Sequence, residues 1–143
     1  MKPSFVADCS IALAWCFIDE GTPATKELLD RMAGECVLVP GWWFIELTNV
    51  LVVAERKGRI NPDQTAEFLA LIESFDLEID DESPGRAFLH VLPLCRAHQL
   101  TSYDAVYLEL ALRRHLPLAT LDEELRIAAT KSGVALLGKS ATN

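Results

Sequence analysis

The segment CVLVPGWWFIELTNVLVVAERKG, residues 36–58, joins a short apolar run to a long helical one. The run CVLVP is apolar throughout, without the alternation of a strand that has one face in water. It therefore predicts a strand buried on both faces. The following helix begins near Trp42 and extends to Gly58, a residue that commonly ends helices. A buried strand that leads directly into a helix is typical of a parallel α/β sheet.

The same alternation of short β-type runs and longer helical runs continues on both sides of this segment. Further strands are predicted at residues 4–7, 77–79, 116–120 and 134–137. Further helices are predicted at residues 10–17, 22–32, 61–75, 83–98, 102–115 and 122–132. The pattern predicts an α/β fold, a three-layer α/β/α sandwich with a mostly parallel central sheet. We expect one domain over residues 1–138, with residues 139–143 as a flexible tail.

Composition indicates a compact globular protein. Of the 143 residues, 50% are hydrophobic and 24% are charged, which is enough apolar material for a single core. No apolar run approaches the roughly 20 residues that cross a bilayer, and Asp8 comes too early for a signal peptide. We therefore expect a cytoplasmic protein with no membrane segment. The four cysteines form no CxxC pair, which favours reduced core thiols over a zinc site.

The net charge of −8 restricts the possible functions. This charge argues against a protein that coats nucleic acid through a broad basic field. An enzyme that handles nucleic acid locally is still compatible with it, because acids gathered in one pocket attract metal cations.

Four acidic residues are placed where an α/β protein binds its ligands, outside the carboxyl ends of the strands. Asp8 directly follows the first strand, and Asp122 follows the strand at residues 116–120. Glu46 lies one turn into the helix after CVLVP. Asp104 lies in the first turn of its helix and joins the others if that helix begins at the same edge of the sheet.

Most of these acids also have a structural explanation as helix caps. Asp8 fits the N-cap of the helix that follows it, and Asp122 fits the first turn of a Thr120-x-x-Glu123 capping box. Asp104 stands three residues after Thr101, which is again the capping-box spacing. The sequence alone leaves the choice between cap and ligand open.

Glu46 is harder to explain structurally. It is surrounded in its helix by apolar residues that leave little solvated face, and only Asn49, at i+3, shares its side. A buried carboxylate without a partner would cost several kcal/mol or become protonated. The alternative is a partly exposed surface glutamate.

Asp104 begins a stripe of residues that we expect to face inward. The stripe continues through Tyr107, Leu108 and Ala111 at helical spacing. We expect Glu109 and Arg113, an i,i+4 pair, to mark the solvent face of the same helix. A residue that serves only as a cap would not need this inward orientation.

Acids that converge without lysine or arginine between them would repel one another. Mg²⁺ or Mn²⁺, which prefer oxygen ligands, would remove that repulsion. Two such ions can activate a water and stabilise the leaving oxygen of a phosphodiester. The chain has no Ser-His or Cys-His arrangement and no glycine-rich phosphate loop. A phosphatase with a D-x-D nucleophile is excluded because position 10 is serine, so phosphodiester hydrolysis is favoured.

The order of these motifs resembles the PIN domain family. The matching parts are D-x-S at residues 8–10, E-x-x-N at 46–49, TSYDA at 101–105 and TLD at 120–122. More narrowly, they resemble the VapC-type toxins of toxin–antitoxin pairs. The resemblance implies an Mg²⁺- or Mn²⁺-dependent endoribonuclease that forms a homodimer and is blocked by an antitoxin. It implies metal ligands at Asp8, Glu46, Asp104 and Asp122, supported by Ser10, Asn49 and Thr120.

An RNA substrate would still need cations to hold its phosphates. Arg56, Lys57 and Arg59 form the densest basic cluster and are candidate phosphate contacts. The alternative for this cluster is a solvated helix end. The alternative for the whole chain is a catalytically silent module that keeps the PIN fold and serves only to bind a protein.

Overall fold

The computed structural model describes residues 1–139 and contains a five-stranded sheet with helices on both faces. Its strands are β1 (Pro3–Ala7), β2 (Cys36–Pro40), β3 (Leu77–Asp80), β4 (Leu118–Ala119) and β5 (Leu136–Leu137). Its α-helices are α1 (Cys9–Cys16), α2 (Pro23–Met32), α3 (Trp43–Arg56), α4 (Pro62–Glu73), α5 (Ser83–Arg86), α6 (Leu92–His98), α7 (Ser102–Arg114) and α8 (Glu123–Lys131). Four residues of the predicted tail, 140–143, lie outside the described residues. No helix within residues 1–139 has the length and hydropathy of a membrane span.

The sheet has the strand order β3-β2-β1-β4-β5, and every pair is parallel. The chain builds outward from β1 to β3 and then returns to place β4 on the other side of β1. The strand order therefore reverses between β1 and β4, where open α/β sheets bind ligands. This arrangement confirms the predicted α/β/α sandwich.

The side chains of β1 show how the three layers arise. Phe5 and Ala7 pack with Leu28 and Met32 of α2 on one face of the sheet. Val6 points the other way, into the larger core that α3, α7 and α8 form. Because successive strand residues point to opposite faces, a wholly apolar strand requires a helical layer on each side.

Two helices begin at the caps that the sequence predicts. At the start of α2, Thr22 and Thr25 form a reciprocal capping box ahead of Pro23. At the start of α4, Asn61 and Gln64 form the same reciprocal pair. Proline suits the first helical position because its missing N–H would have no partner there.

The predicted continuous helix at residues 83–98 is wrong in one respect. The chain forms α5, then a π-helical segment, Ala87–Val91, and then α6. Within this segment the N–H of Leu92 reaches back five residues to the carbonyl of Ala87. Pro93 lacks an N–H and cannot continue the regular i→i−4 ladder, which is a usual cause of such an interruption.

The prediction that Glu109 and Arg113 face solvent is also wrong. They do form an i,i+4 ion pair, at 2.9 Å, but the side chain of Glu109 is buried. Arg86 of α5 also pairs with Glu109, and Arg113 reaches Asp80 at the end of β3, again at 2.9 Å. The π-helical segment packs against α7, and α5 reaches Glu109 through Arg86, which sequence spacing within α7 does not indicate.

Candidate active site

The centre of the candidate site is Asp8, at the carboxyl end of β1. Residue Ala7 is in register with Ala119, so Asp8 lies beside Thr120 of the neighbouring strand. One carboxylate oxygen of Asp8 accepts hydrogen bonds from the Ser10 hydroxyl at 2.5 Å and from the Ile11 N–H at 3.4 Å. The other oxygen accepts a short hydrogen bond from the Thr120 hydroxyl. Asp8 is therefore the N-cap of α1 and also lies at the carboxyl ends of the parallel strands.

Burial makes the charged form of Asp8 costly. The side chain is only 6% exposed. Its burial raises the pKa to about 6, although hydrogen bonds from Ser10, Thr120 and Ile11 lower it, and the nearby Glu46 raises it further. Within residues 1–139 no lysine or arginine forms an ion pair with Asp8. Asp8 is therefore an acidic group that lacks a compensating positive charge.

Two hydroxyl groups connect the loop after β1 with the loop after β4. The hydroxyl of Ser10 donates to Asp8 and accepts from the Leu121 N–H at 2.8 Å. The hydroxyl of Thr120 donates to Asp8 and accepts from the Asp122 N–H at 3.0 Å. These contacts fix Asp8 relative to the loop that carries Asp122. Ser10 and Thr120 therefore both contact the Asp8 carboxylate, and their role in supporting a metal ligand stays a prediction.

Asp122 is half-buried and caps α8. Its carboxylate accepts from the Leu125 N–H at 2.8 Å through one oxygen. The alternative capping box of Thr120 and Glu123 does not form, because Thr120 is bonded to Asp8 and Glu123 is exposed and paired with Lys139. A single cap bond uses one oxygen of Asp122, so this role does not prevent the other from binding a cation.

Glu46 lies in the first turn of α3 and accepts a hydrogen bond from the hydroxyl of Tyr107, at 2.8 Å. Burial raises the pKa of Tyr107, so its hydroxyl remains a proton donor. Glu46 itself is half-buried, and its helix has more solvated surface than the sequence suggests. Ile45 is 72% exposed and Asn49 is exposed as well, because no described element covers this side of α3. Asn49 forms no hydrogen bond to a site acid within residues 1–139.

Asp104 is half-buried in the first turn of α7. Thr101 caps this helix, and its hydroxyl oxygen accepts the Asp104 N–H at 3.3 Å. In the described chain, the Asp104 carboxylate accepts no hydrogen bond from the Thr101 N–H, so the reciprocal capping box is not formed. Burial raises the pKa of Asp104, and the negative charges of Asp122 and Glu46 raise it further. Asp104 is therefore electrostatically coupled to the other site acids.

The chemistry of these four acids suits a divalent cation. Two of them, Asp8 and Asp104, have raised pKa values because of burial and of repulsion from neighbouring acids, Glu46 in both cases and also Asp122 for Asp104. Oxygen-rich, negatively charged sites of this kind favour Mg²⁺ or Mn²⁺ over softer metals. Within residues 1–139, no three His, Cys, Asp or Glu residues already lie close enough together to hold an ion. The oxygen donors of the four acids are thus the right type for Mg²⁺ or Mn²⁺. Their side chains would have to move closer together to bind the ion.

Comparison with known proteins identifies the family. The family model described as PIN domain matches residues 5–131. The chain belongs to the PIN domain family. A search of curated proteins gives no match.

This PIN domain is similar to several solved structures. PAE2754 from Pyrobaculum aerophilum is 23% identical, with a TM-score of 0.66, over 94% of this chain and 83% of that one. FitAcB from Neisseria gonorrhoeae is 16% identical, with a TM-score of 0.61, over 94% and 96% of the two chains. A toxin–antitoxin complex from Klebsiella pneumoniae is 18% identical, with a TM-score of 0.49, over 83% and 87%.

The structure does not bring the predicted basic cluster to the acids of this PIN domain. Arg56 and Lys57 are exposed at the end of α3, ten residues after Glu46, or about 15 Å along the helix. Arg59 pairs with Asp19 at 3.0 Å and also with Glu20, and its guanidinium stacks on Phe17. A role for this cluster in substrate binding stays a prediction.

Sequence reasoning missed the role of Tyr107. Its place in the inward stripe of α7 is confirmed, since Tyr107, Leu108 and Ala111 are all buried. The signal that was available is that a buried tyrosine hydroxyl needs a polar partner. That partner, Glu46, is 61 residues away along the chain, so only the fold reveals it.

Proposed function

We propose that this PIN domain is an Mg²⁺- or Mn²⁺-dependent endoribonuclease and the toxin of a toxin–antitoxin pair. The observation that carries the proposal is the buried carboxylate of Asp8, whose pKa is raised to about 6. It shares the carboxyl edge of the sheet with three further acids and has no cationic partner among the described side chains. A divalent ion would compensate this negative charge.

Asp8, Glu46, Asp104 and Asp122 would hold the metal. When bound, a divalent ion of this type activates a water and stabilises the leaving oxygen of a phosphodiester. The protein's own contribution is orientation. Ser10 and Thr120 fix the carboxylate of Asp8, while Tyr107 fixes that of Glu46. Such supporting hydrogen bonds commonly change metal affinity or activity by about 10–100-fold.

Exposed apolar side chains support the proposal of protein partners. Phe88 and Leu89 of the π-helical segment are 87% and 79% exposed, and Tyr103 of α7 is 70% exposed. Exposed aromatic and aliphatic side chains of this size are commonly covered by a partner. An antitoxin and a second copy of the chain are the partners that the VapC resemblance suggests.

The test is RNA cleavage by the purified protein in the presence of Mg²⁺ or Mn²⁺. We expect Asp8→Asn and Asp104→Asn to abolish cleavage and to relieve growth inhibition in cells. Asparagine is as good an N-cap as aspartate, so Asp8→Asn removes the charge while the cap of α1 is kept. Asp81→Asn is the matched control, because Asp81 is exposed and forms no ion pair in the described chain.

Thermal melts of the same variants separate loss of chemistry from loss of folding. Full metal-dependent cleavage by both site variants would overturn the site assignment. A wild-type protein that is folded but cuts no RNA would favour the catalytically silent binding module. Sequencing of RNA ends after brief induction would then identify the RNA that an active protein cuts.

A further inference from the structure

A cavity beside the loop that carries Asp122 is lined by a half-buried guanidinium that forms no ion pair within residues 1–139. The cavity has a volume of about 880 Å³ and lies between the start of α2, the loop after β4 and the end of β5. Arg126 and Lys139 are the cations in its wall, and Glu123 is its acid. Arg126 is in α8, one turn after Asp122, so the two side chains start about 5–6 Å apart.

Arg126 is held rigidly by backbone groups. One of its terminal nitrogens, Nη1, donates to the carbonyls of Thr120 at 2.8 Å and of Leu137 at 3.0 Å. Gly138, next to Leu137, has φ +111, and a Cβ there would lie 2.8 Å from the Ile11 side chain and 3.3 Å from the Thr120 carbonyl oxygen. Glycine therefore permits this close approach of the chain to Thr120. The remaining donors of the guanidinium form no hydrogen bond within residues 1–139.

The charge of Arg126 is poorly compensated. Five other arginines each form an ion pair with a carboxylate: Arg31, Arg59, Arg86, Arg113 and Arg114. Within residues 1–139, Arg126 is the only half-buried arginine that has no such pair. Burial lowers the pKa of Arg126, and Glu123 offsets this effect only in part. An anion at this position would stabilise the guanidinium.

The other walls of the cavity also favour an anion. Thr22, Pro23 and Ala24, at the N-terminus of α2, line the side opposite α8. The N-terminus of a helix of this length carries a partial positive charge. Lys139 adds a full positive charge, although it pairs with Glu123 at 2.6 Å. With two cations and one acid in its lining, the cavity carries a net positive charge in a chain of net charge −8.

We infer that this cavity binds a phosphate of the RNA backbone next to the bond that is cut, with Arg126 as its main contact. Arginine suits phosphate because its planar guanidinium donates two parallel hydrogen bonds to two oxygens. Asp122 is the N-cap of α8, and its carbonyl accepts the N–H of Arg126, so both residues lie at the same end of this helix and one RNA strand can reach both. This inference rests on the proposed nuclease function and adds the position of its substrate to it.

The experiment compares Arg126→Gln with Lys131→Gln. Lys131 is an exposed residue at the end of the same helix, forms no ion pair in the described chain, and gives the same change of charge. Affinity for a short single-stranded RNA is measured by fluorescence anisotropy in EDTA over a range of salt concentrations. Cleavage of the same RNA in Mg²⁺ gives KM and kcat.

We expect Arg126→Gln to weaken RNA binding at least about tenfold and to raise KM by a similar factor. The slope of log affinity against log salt should become shallower by about 0.7, the value for one phosphate of a single strand. Lys131→Gln should change neither quantity. Lys139→Gln, at an exposed position, should give a smaller change in the same direction, and it tests the cavity should Arg126→Gln fail to fold.

The possible failures are distinguishable. If wild-type protein cuts RNA but Arg126→Gln and Lys139→Gln both match Lys131→Gln in affinity and salt slope, the phosphate site is wrong and the nuclease proposal stands. If folded wild-type protein neither binds nor cuts RNA, the proposed function fails and this inference fails with it.

Discussion

The structural role of Asp8 and the functional role that we propose for it oppose each other energetically. As N-cap it satisfies the Ile11 N–H and stabilises α1. As a buried acid with a pKa of about 6 it destabilises the fold at neutral pH, because ionisation is easier in the unfolded chain. The difference from the ordinary value of 3.8 corresponds to about 3 kcal/mol. A residue that costs this much stability is one that a metal site would explain.

The first prediction is a pH dependence of stability in the metal-free protein. Between about pH 4 and pH 6 the folded state binds the Asp8 proton and the unfolded state does not. The contribution of Asp8 to the free energy of unfolding therefore falls as pH rises through this window. Asp8→Asn should raise the free energy of unfolding by about 1–3 kcal/mol near pH 7.5 and have a smaller effect near pH 5.

Urea unfolding in EDTA at a series of pH values measures this difference. The comparison of variant with wild type isolates Asp8, because all other titrating groups are common to both proteins. Asp81→Asn should show no such pH-dependent gain. A variant that is less stable than wild type across the whole range would show that the charge of Asp8 is compensated in the native protein.

The second prediction concerns Tyr107, which orients Glu46 without being a ligand itself. Tyr107→Phe removes the 2.8 Å hydrogen bond and leaves the buried ring in place. We expect the Mn²⁺ concentration for half-maximal cleavage to rise about tenfold, with a loss of stability below about 1.5 kcal/mol. Tyr103→Phe, at a side chain that is 70% exposed, is the control. If Tyr107→Phe needs the same Mn²⁺ concentration as the wild-type protein, Tyr107 does not position Glu46 for metal binding.

At the scale of elements, a buried ion network joins β3, α5 and α7. Arg113 contacts the carboxylates of Asp80 and Glu109, which are almost fully buried, and Arg86 also pairs with Glu109. Burial alone would raise the pKa of Asp80. Hydrogen bonds from Arg113 and Ser83 outweigh that effect and hold it below its usual value. The network holds α7 against the edge of the sheet and so helps to place Asp104 and Tyr107.

The third prediction compares two adjacent arginines. Arg113→Ala leaves two buried carboxylates without their main partner and should cost about 3–5 kcal/mol. Arg114→Ala removes a pair with Glu78 in which the side chains are 32% and 41% exposed, and should cost less than about 1 kcal/mol. Urea unfolding of both variants is the measurement. If both variants lose the same free energy of unfolding, the buried network contributes no more stability than an ordinary surface ion pair.

The elements that sequence patterns predict well are those with local signals. Apolar strands, and the cap-and-proline pairs before α2 and α4, are read from a few consecutive residues, and the structure confirms them. The break before α6 has a local cause in Pro93, yet sequence does not say whether a proline ends a helix or only distorts it. The orientation of Glu109 depends on Arg86, which is 23 residues away and on another element.

The candidate site likewise has residues that sequence predicts and contacts that it does not. The acids after β1 and β4 follow from counting along the chain, because parallel strands place their carboxyl ends at one edge. The bonds that orient Asp8 and Glu46 join residues 112 and 61 positions apart, Thr120 and Tyr107 respectively. No periodicity within an element records such contacts. Sequence patterns did not predict the cavity around Arg126 for the same reason, because its walls come from three separate segments.

For the whole molecule, the distribution of charge matters more than its sum. The excess of acids over bases is eight, yet five arginines are paired with carboxylates away from the four site acids. None of the four site acids forms an ion pair within residues 1–139, and burial raises the pKa of Asp8 and of Asp104. Mutual repulsion among these acids weakens the metal-free protein, so metal binding should be visible as stabilisation of the entire fold.

The last prediction is therefore a thermal shift that depends on the site acids and not on catalysis. A ligand at about one hundred times its dissociation constant stabilises the folded state by about 2.7 kcal/mol. For a chain of this length, that corresponds to a rise in Tm of roughly 10 °C. Mn²⁺ should produce a saturable rise in the wild-type protein, whereas NaCl of equal ionic strength should not. The double variant Asp8→Asn/Asp104→Asn should lose most of the rise while remaining folded. An equal shift in both proteins would place the metal outside the carboxylate site, and no shift in either would leave the four acids without a cation.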